Sequence, residues 1–301
     1  MKGFLIGEMS KERIAFIGIG VMGKSMAGHL LDAGYPVSVY NRTKSKADDL
    51  VARGAEWREA PADAAADADV VITIVGFPQD VEETYFGAQG IFQTLESGGL
   101  VIDMTTSSPL LAKRIAEEAS KREIGCLDAP VSGGDLGARE ARLSIMVGGE
   151  EADFERAKPL FEIMGKNIHL QGPAGAGQHT KMSNQIAIAA GMVSIAESLA
   201  YAKASGLDPK RVLMSIESGA AGSWSLTNLA PRALDGNYDP GFAVKHFIKD
   251  MGIAIESAEA MGLVTPGLKL AKSLYDRVAA DGGADDGTHA LFRYYFEGKQ
   301  G

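Results

Sequence analysis

Cysteine occurs once in the 301 residues, at Cys126. No internal disulfide can form, which suits a reducing compartment and a cytoplasmic location. Histidine is scarce. The five residues show no H-x-x-x-H or other paired spacing, so no zinc site is expected. Basic charge is in short supply: 30 Lys and Arg face 39 Asp and Glu, a net charge of −9. Divided after Gly172, the first part holds 26 acidic and 18 basic residues, the second 13 and 12. Neither part is basic, which argues against nonspecific nucleic-acid binding. No unbroken apolar run approaches the ~18–20 residues of a membrane helix. Residues 1–13 carry only Phe4, Leu5 and Ile6 as an apolar core, too short for a signal peptide. They read as a short extension before the first strand, with Met9 as a second candidate start.

What is present is the composition of an ordinary soluble globular protein, 46% hydrophobic and 23% charged. Disorder, coiled coil and collagen-like structure are excluded. At roughly 150 residues per domain the length suggests two domains. The glycines, 37 in all, gather at punctuated positions, as tight turns require. In the first half, strand signals at 14–17, 37–40, 70–75, 100–103, 124–127 and 144–147 alternate with helical ones. Met22, Met26, Leu30 and Leu31 recur at helical spacing before a stop at Gly34. Further helices are expected at 44–53, 79–86, 109–122 and 151–164. Such alternation predicts an α/β, mostly parallel, doubly wound sheet. A breaker cluster follows at 172–177. Beyond it the pattern is helical, at 178–205, 209–217, 244–261, 266–280 and 289–296. A domain boundary is expected at about residue 173.

Gly18-Ile19-Gly20-Val21-Met22-Gly23 is a G-x-G-x-x-G between an expected strand and an expected helix, the context in which that motif binds a dinucleotide. Gly18 permits the tight turn, Gly20 lets the backbone approach a pyrophosphate, and Gly23 lets helix and strand pack closely. The helix N-terminus meets the phosphate charge with free N–H groups. Gly18, Gly20, Val21, Met22 and Gly23 are therefore expected at the cofactor, and residues 1–172 form a dinucleotide-binding domain of Rossmann type. The second strand ends in Asn41-Arg42-Thr43, where NAD sites commonly place an acid. An acid would repel a 2′-phosphate, whereas Arg42 can bind one bidentately and Thr43 can donate a hydroxyl. NADP(H) is the expected cofactor, with NAD(H) as the alternative, and Arg42, Lys44 and Lys46 as a merely solvated face if that fails.

Three further segments stand out. Asp128-Ala129-Pro130-Val131-Ser132-Gly133-Gly134 follows a strand, at the sheet edge where ligands bind. Ser132, Gly133 and Gly134 offer a hydroxyl and accessible N–H groups suited to a carboxylate; a plain turn reads equally well. In the second segment Lys181, Asn184 and Gln185 share a helix face among apolar neighbours, so Lys181 is either partly buried, with a lowered pKa, or a surface lysine at a helix start. In the third, Phe242, His246 and Lys249 fall near one face. Lys249 and Asp250 taken alone read as exposed charges.

Together these pieces resemble the β-hydroxyacid dehydrogenase family, which contains 3-hydroxyisobutyrate dehydrogenase, tartronate semialdehyde reductase and glyoxylate/succinic semialdehyde reductase. The resemblance spans almost the whole chain. It rests on Phe16 to Gly23, on Asp128 to Gly134, on Gly175-x-Gly177-x-x-x-Lys181-x-x-Asn184 and on Lys249-Asp250. It implies a 6-phosphogluconate dehydrogenase-like fold, with an all-helical substrate and dimerisation domain over 173–301. It implies hydride transfer between NADP(H) and a small β-hydroxy acid or semialdehyde without a metal. Lys181 matches the catalytic lysine, and Ser132, Gly133 and Gly134 the substrate-carboxylate loop. Thr106 matches a threonine near the nicotinamide ribose, and Lys249 a position beside the nicotinamide end, with Phe242 on the same cofactor side. The family usually has a second Asn where Gln185 stands, so Asn184 or Gln185 is expected to hold substrate. Lys181 argues against the related imine-reducing enzymes, which generally replace that lysine. A NAD-dependent 3-hydroxyisobutyrate dehydrogenase and a noncatalytic NADPH-sensing module stay open beside the main reading. Relatives are homodimers or homotetramers, and this chain is expected to oligomerise likewise.

Overall fold

The computed structural model describes residues 11–296. Most of the expected N-terminal extension, Met9 included, lies outside the described residues. By its internal contacts the chain divides into two compact units, residues 1–178 and 179–301. The expected boundary after Gly172 and this division differ by the breaker cluster and the first helical turn. The reason lies in Asp128. Its carboxylate accepts from Gly175 N at 2.7 Å and Gln178 N at 2.8 Å, which ties that turn to the first unit.

Among the described residues, nine strands of the first unit make one sheet. They are β1 (Ile14–Ile17), β2 (Val37–Tyr40), β3 (Glu56–Trp57), β4 (Val70–Thr73), β5 (Leu100–Asp103), β6 (Gly125–Asp128), β7 (Val131–Ser132), β8 (Leu143–Gly149) and β9 (Gly165–Gly172). Their order is β3-β2-β1-β4-β5-β6-β8-β7, with β9 also paired to β8. The run from β3 to β6 is parallel, as expected. β8 departs from it, antiparallel to β6 and β7 and parallel to β9. β1, β4 and β5 are buried at every position, because both faces of the sheet are covered. Ile14, Phe16, Val70, Ile72, Leu100 and Ile102 pack into one core layer; Ala15, Ile17, Val71 and Val101 pack into the other. The chain leaves β1 for β2 on one side and later returns to β4 on the other. The carboxyl end of β1 is thus the topological switch point, where such sheets bind ligands.

The helices mostly keep the bounds their patterns predict, as at Val21–Asp32, Pro78–Phe86, Pro109–Lys121 and Glu151–Met164. The expected helix at 44–53 is instead a 3-10 turn, Lys44–Ala47, running into a short helix, Asp48–Ala52. β9 carries no strand signal, since its residues are polar and largely outward-facing.

The second unit is helical: Pro209–Ile216, Trp224–Asn228, Ala230–Leu234, Val244–Ala260, Pro266–Val278 and Leu291–Phe296 follow the long helix Ala176–Ala204. By length and composition that long helix is apolar enough to cross a membrane, although polar residues interrupt it throughout. Its apolar side chains have another use. Met182, Ala189, Met192, Val193, Ile195, Ala196 and Leu199 belong to the core of the second unit, with Phe247, Met251, Leu268 and Tyr275.

Candidate active site

In the first unit the glycine-rich loop links β1 to the Val21–Asp32 helix. Gly18 sits at φ +105°, and a Cβ there would fall 2.1 Å from the carbonyl oxygen of Ile74. A Cβ on Gly23 would fall 1.9 Å from Gly18 O, so both positions demand glycine for packing. Gly20 differs. A Cβ there would meet no protein atom within 4 Å, which leaves its face of the loop open for a ligand. Gly20 is also the N-cap and supplies no side chain, so the first N–H groups of the helix are not capped from within. Val21 is 74% exposed and Met22 packs partly against the core. An open glycine beside uncapped helix N–H groups fits the pyrophosphate of a nicotinamide dinucleotide.

The end of β2 braces that loop. Asn41 Oδ1 accepts from Ile19 N at 3.0 Å, and its Nδ2 donates to Thr43 O at 2.9 Å. Asn41 therefore fixes the loop with its amide. Arg42 is exposed and donates from Nη1 to Asp80 Oδ1 at 2.9 Å. Asp80 is itself held, since its Oδ2 accepts from Phe77 N at 3.0 Å. The acid that the end of β2 lacks thus reaches Arg42 from the segment after β4, a relationship sequence spacing could not reveal. Thr43 stands at the N-cap position of the Lys44–Ala47 turn, makes no side-chain capping bond and is exposed.

Thr106 is half-buried in the segment after β5, between buried neighbours. Thr105 Oγ1 accepts from Val75 N at 2.9 Å, and Thr105 N donates to Asp103 Oδ1 at 3.1 Å. Ser132 ends β7, paired with Ser144 of β8. Gly133 and Gly134 follow at φ +131° and +61°, two successive left-handed conformations that side chains disfavour. The turn is therefore built for glycine, and Gly133 is exposed.

In the second unit, Lys181 is buried, which settles the choice between the core and surface readings of that lysine. Desolvation pushes its ammonium down to about 8; Asp250 opposes the shift and the Lys249 ammonium adds to it. Asn184 Nδ2 donates to Gln185 Oε1 at 2.8 Å, and Gln185 Nε2 donates to Asp250 Oδ2 at 2.6 Å. Asp250 Oδ1 lies 3.0 Å from Lys249 Nζ. Of the two expected substrate amides, Gln185 is 1% exposed, with a bond at each end of its amide. The extra methylene gives it the reach to Asp250, and half-buried Asn184 is the amide left for a ligand. Lys249 and Asp250 are not exposed charges, their side chains being 12% and 1% accessible. Phe242 stacks on His246 with centroids 6.5 Å apart, and Lys249 depresses the His246 pKa second only to burial. Among the described residues no cluster of three metal-ligating side chains occurs.

The geometry matches known proteins over nearly the full chain. Residues 13–172 match the NAD binding domain of 6-phosphogluconate dehydrogenase, and residues 175–295 match the NAD-binding domain of NADP-dependent 3-hydroxyisobutyrate dehydrogenase. The chain belongs to the β-hydroxyacid dehydrogenase family. It is a nicotinamide-dependent oxidoreductase acting on CH–OH groups of small hydroxy acids. An uncharacterized oxidoreductase of Bacillus subtilis is 60% identical over 95% of this chain and 99% of its own. The 2-hydroxy-3-oxopropionate reductase of Escherichia coli is 39% identical over 93% and 95%. Among solved structures, the 3-hydroxyisobutyrate dehydrogenase of Mycobacterium tuberculosis with L-serine superposes with a TM-score of 0.88 at 31% identity, over 95% of this chain and 99% of that one. In this β-hydroxyacid dehydrogenase Lys181 is desolvated, and Gln185 beside Asn184 is buried with it.

Proposed function

We propose that the protein is an NADP(H)-preferring reductase of small aldehydes that carry a carboxylate, run reversibly, with Lys181 as general acid and base. The observation that carries this is the buried Lys181 with its ammonium brought down to about 8. A lysine there holds its proton at neutral pH and can release it, as acid–base work demands. Bound nicotinamide supplies the hydride donor or acceptor. In reduction, the Lys181 ammonium donates a hydrogen bond to the carbonyl oxygen and then its proton, stabilising the forming alkoxide. In oxidation, neutral Lys181 takes the hydroxyl proton. Ser132, Gly133 and Gly134 bind the remote carboxylate, Asn184 holds the substrate oxygen, and the Gln185–Asp250–Lys249 chain keeps Asn184 and Lys249 in place. The family resemblance supports roles at the nicotinamide end of the cofactor for Thr106 and, in the second unit, for Phe242 and Lys249. No metal takes part in this scheme.

Arg42 supports NADP(H), with Thr43 beside it. The Arg42–Asp80 pair favours a second reading, a NAD-dependent 3-hydroxyisobutyrate dehydrogenase, because an acid near a 2′-phosphate weakens its hold. The substrate class follows the relatives' names, 2-hydroxy-3-oxopropionate reductase and 3-hydroxyisobutyrate dehydrogenase. Exposed Met214, Val264 and Leu270 support a homodimer or homotetramer, and the single cysteine supports a cytoplasmic location.

The test is NADPH and NADH oxidation by the purified protein with methylmalonate, tartronate and succinic semialdehydes and with glyoxylate. Turnover of one of them with NADPH preferred supports the proposal. NADH preference would replace it by the second reading. Silence with both cofactors despite tight NADPH binding would overturn it in favour of an imine substrate or a noncatalytic sensor.

A further inference from the structure

Gln178 is fully buried, at 0% exposure, and neither hydride transfer nor proton transfer uses it. Its side chain nevertheless meets the Thr105–Ser107 backbone at two points. Nε2 donates to Thr105 O at 2.7 Å, and Oε1 accepts from Ser107 N at 2.9 Å. A primary amide is the side-chain group that can present a donor and an acceptor side by side to an extended backbone. The two bonds straddle Thr106. Gln178 is held in turn, because Asp128 Oδ2 accepts from its backbone N at 2.8 Å while Oδ1 holds Gly175 N. Asp103, at the end of the neighbouring strand, anchors the same segment through Thr105 N. The ends of β5 and β6 and the start of the long helix therefore converge on one residue.

We infer that Gln178 is a positioning residue for the nicotinamide side of the cofactor, setting the backbone that presents Thr106. The inference rests on the reading of Thr106 as a cofactor contact. An amide straddling one residue fixes that residue's φ and ψ as a strand partner would, and the burial of all four bonded atoms keeps water from competing. Both bonds are needed. A group offering only acceptors satisfies Ser107 N but sets a lone pair against Thr105 O.

That asymmetry supplies the test. In Gln178→Glu the neutral carboxyl mimics the amide, donating to Thr105 O and accepting from Ser107 N, whereas the carboxylate cannot donate. Burial raises the pKa of the introduced group. NADPH affinity and kcat/KM are measured from pH 5.5 to 9 for the wild type, Gln178→Glu, Gln178→Leu and Thr106→Val. Gln178→Glu is expected within about threefold of wild type at the acid end and at least tenfold weaker for NADPH at the alkaline end, a loss of about 1.4 kcal/mol. Gln178→Leu is expected to weaken NADPH at all pH values. A purely structural role would lower the active fraction and leave Kd and KM unmoved. If Gln178→Leu, which removes both bonds at any pH, leaves the NADPH Kd and KM at their wild-type values, the inference is overturned. If Thr106→Val is silent as well, the reading of Thr106 fails with it; if Thr106→Val weakens NADPH while both Gln178 variants do not, only the positioning role falls.

Discussion

Gln185 donates to the carboxylate of Asp250 at 2.6 Å across two helices of the second unit, and both side chains are almost wholly buried. A buried carboxylate needs such partners, and Asp250 draws one from each side, the Gln185 amide and the Lys249 ammonium. Asp250 in turn opposes the fall in the pKa of Lys181. Gln185 is thus linked to the Lys181 ammonium through one carboxylate.

Shortening that link should expose its role. Gln185→Asn removes the methylene that reaches Asp250, and the lost bond to a charged group is expected to cost about 1.5–3 kcal/mol of stability. Chemical denaturation reads that loss. In kinetics kcat should fall more than KM rises, since Asn184 loses its orienting partner. An unchanged denaturation midpoint would show that the amide does not support Asp250.

If Lys181 is the proposed acid and base, its ammonium, pushed down to about 8 by burial, sets the pH dependence. Reduction needs the protonated form. Its kcat should be flat below pH 8 and fall about tenfold per unit above it. Oxidation needs the neutral form and should rise toward pH 8 and level off beyond. Lys181→Ala is expected to lose roughly 10²–10⁴-fold in kcat and keep its NADPH affinity. Opposite slopes in the two directions, and their absence in a slow Lys181→Ala, are read from stopped-flow hydride transfer.

Gly20 and Gly23 should separate binding from folding. In Gly20→Ala the new methyl meets no protein atom, so the thermal midpoint should hold while the NADPH Kd rises at least about tenfold. In Gly23→Ala the methyl strikes Gly18 O, and a loss of about 1–3 kcal/mol or more in stability is expected. Thermal melts with and without NADPH distinguish the two.

Cofactor choice should respond to Asp80 as well as Arg42. Arg42→Ala is expected to weaken NADPH about 10–100-fold and leave NADH nearly unchanged. Asp80→Asn frees the guanidinium and removes a repelling charge, so it should shift the NADPH-to-NADH ratio the other way. Fluorescence titration with both cofactors measures each shift. Equal effects on the two cofactors would remove Arg42 from the 2′-phosphate.

The sheet and the glycine-rich loop are written into the local pattern of the chain. Apolar tetrads such as Ile14–Ile17 and Leu100–Asp103 are legible because burial on both faces leaves hardly a polar residue in the run. Gly18, Gly20 and Gly23 are legible because their spacing is local and each conformational demand acts within a few residues. Lys181, Asn184 and Gln185 are placed on one helix by the same local logic. β9 is not legible, because an edge strand of polar residues gains its stability from pairing with β8 and not from its own pattern. Which partners meet is a matter of packing alone. Asp80 reaches Arg42 across 38 residues, Asp250 reaches Gln185 across 65, and Gln178 reaches Thr105 across 73. A hydrogen bond is fixed by distances below about 3.2 Å, and no periodicity in a chain encodes a distance between segments so far apart. Burial has the same origin: the pKa of Lys181 is set by the water its neighbours exclude, and those neighbours are assembled only when the helices pack.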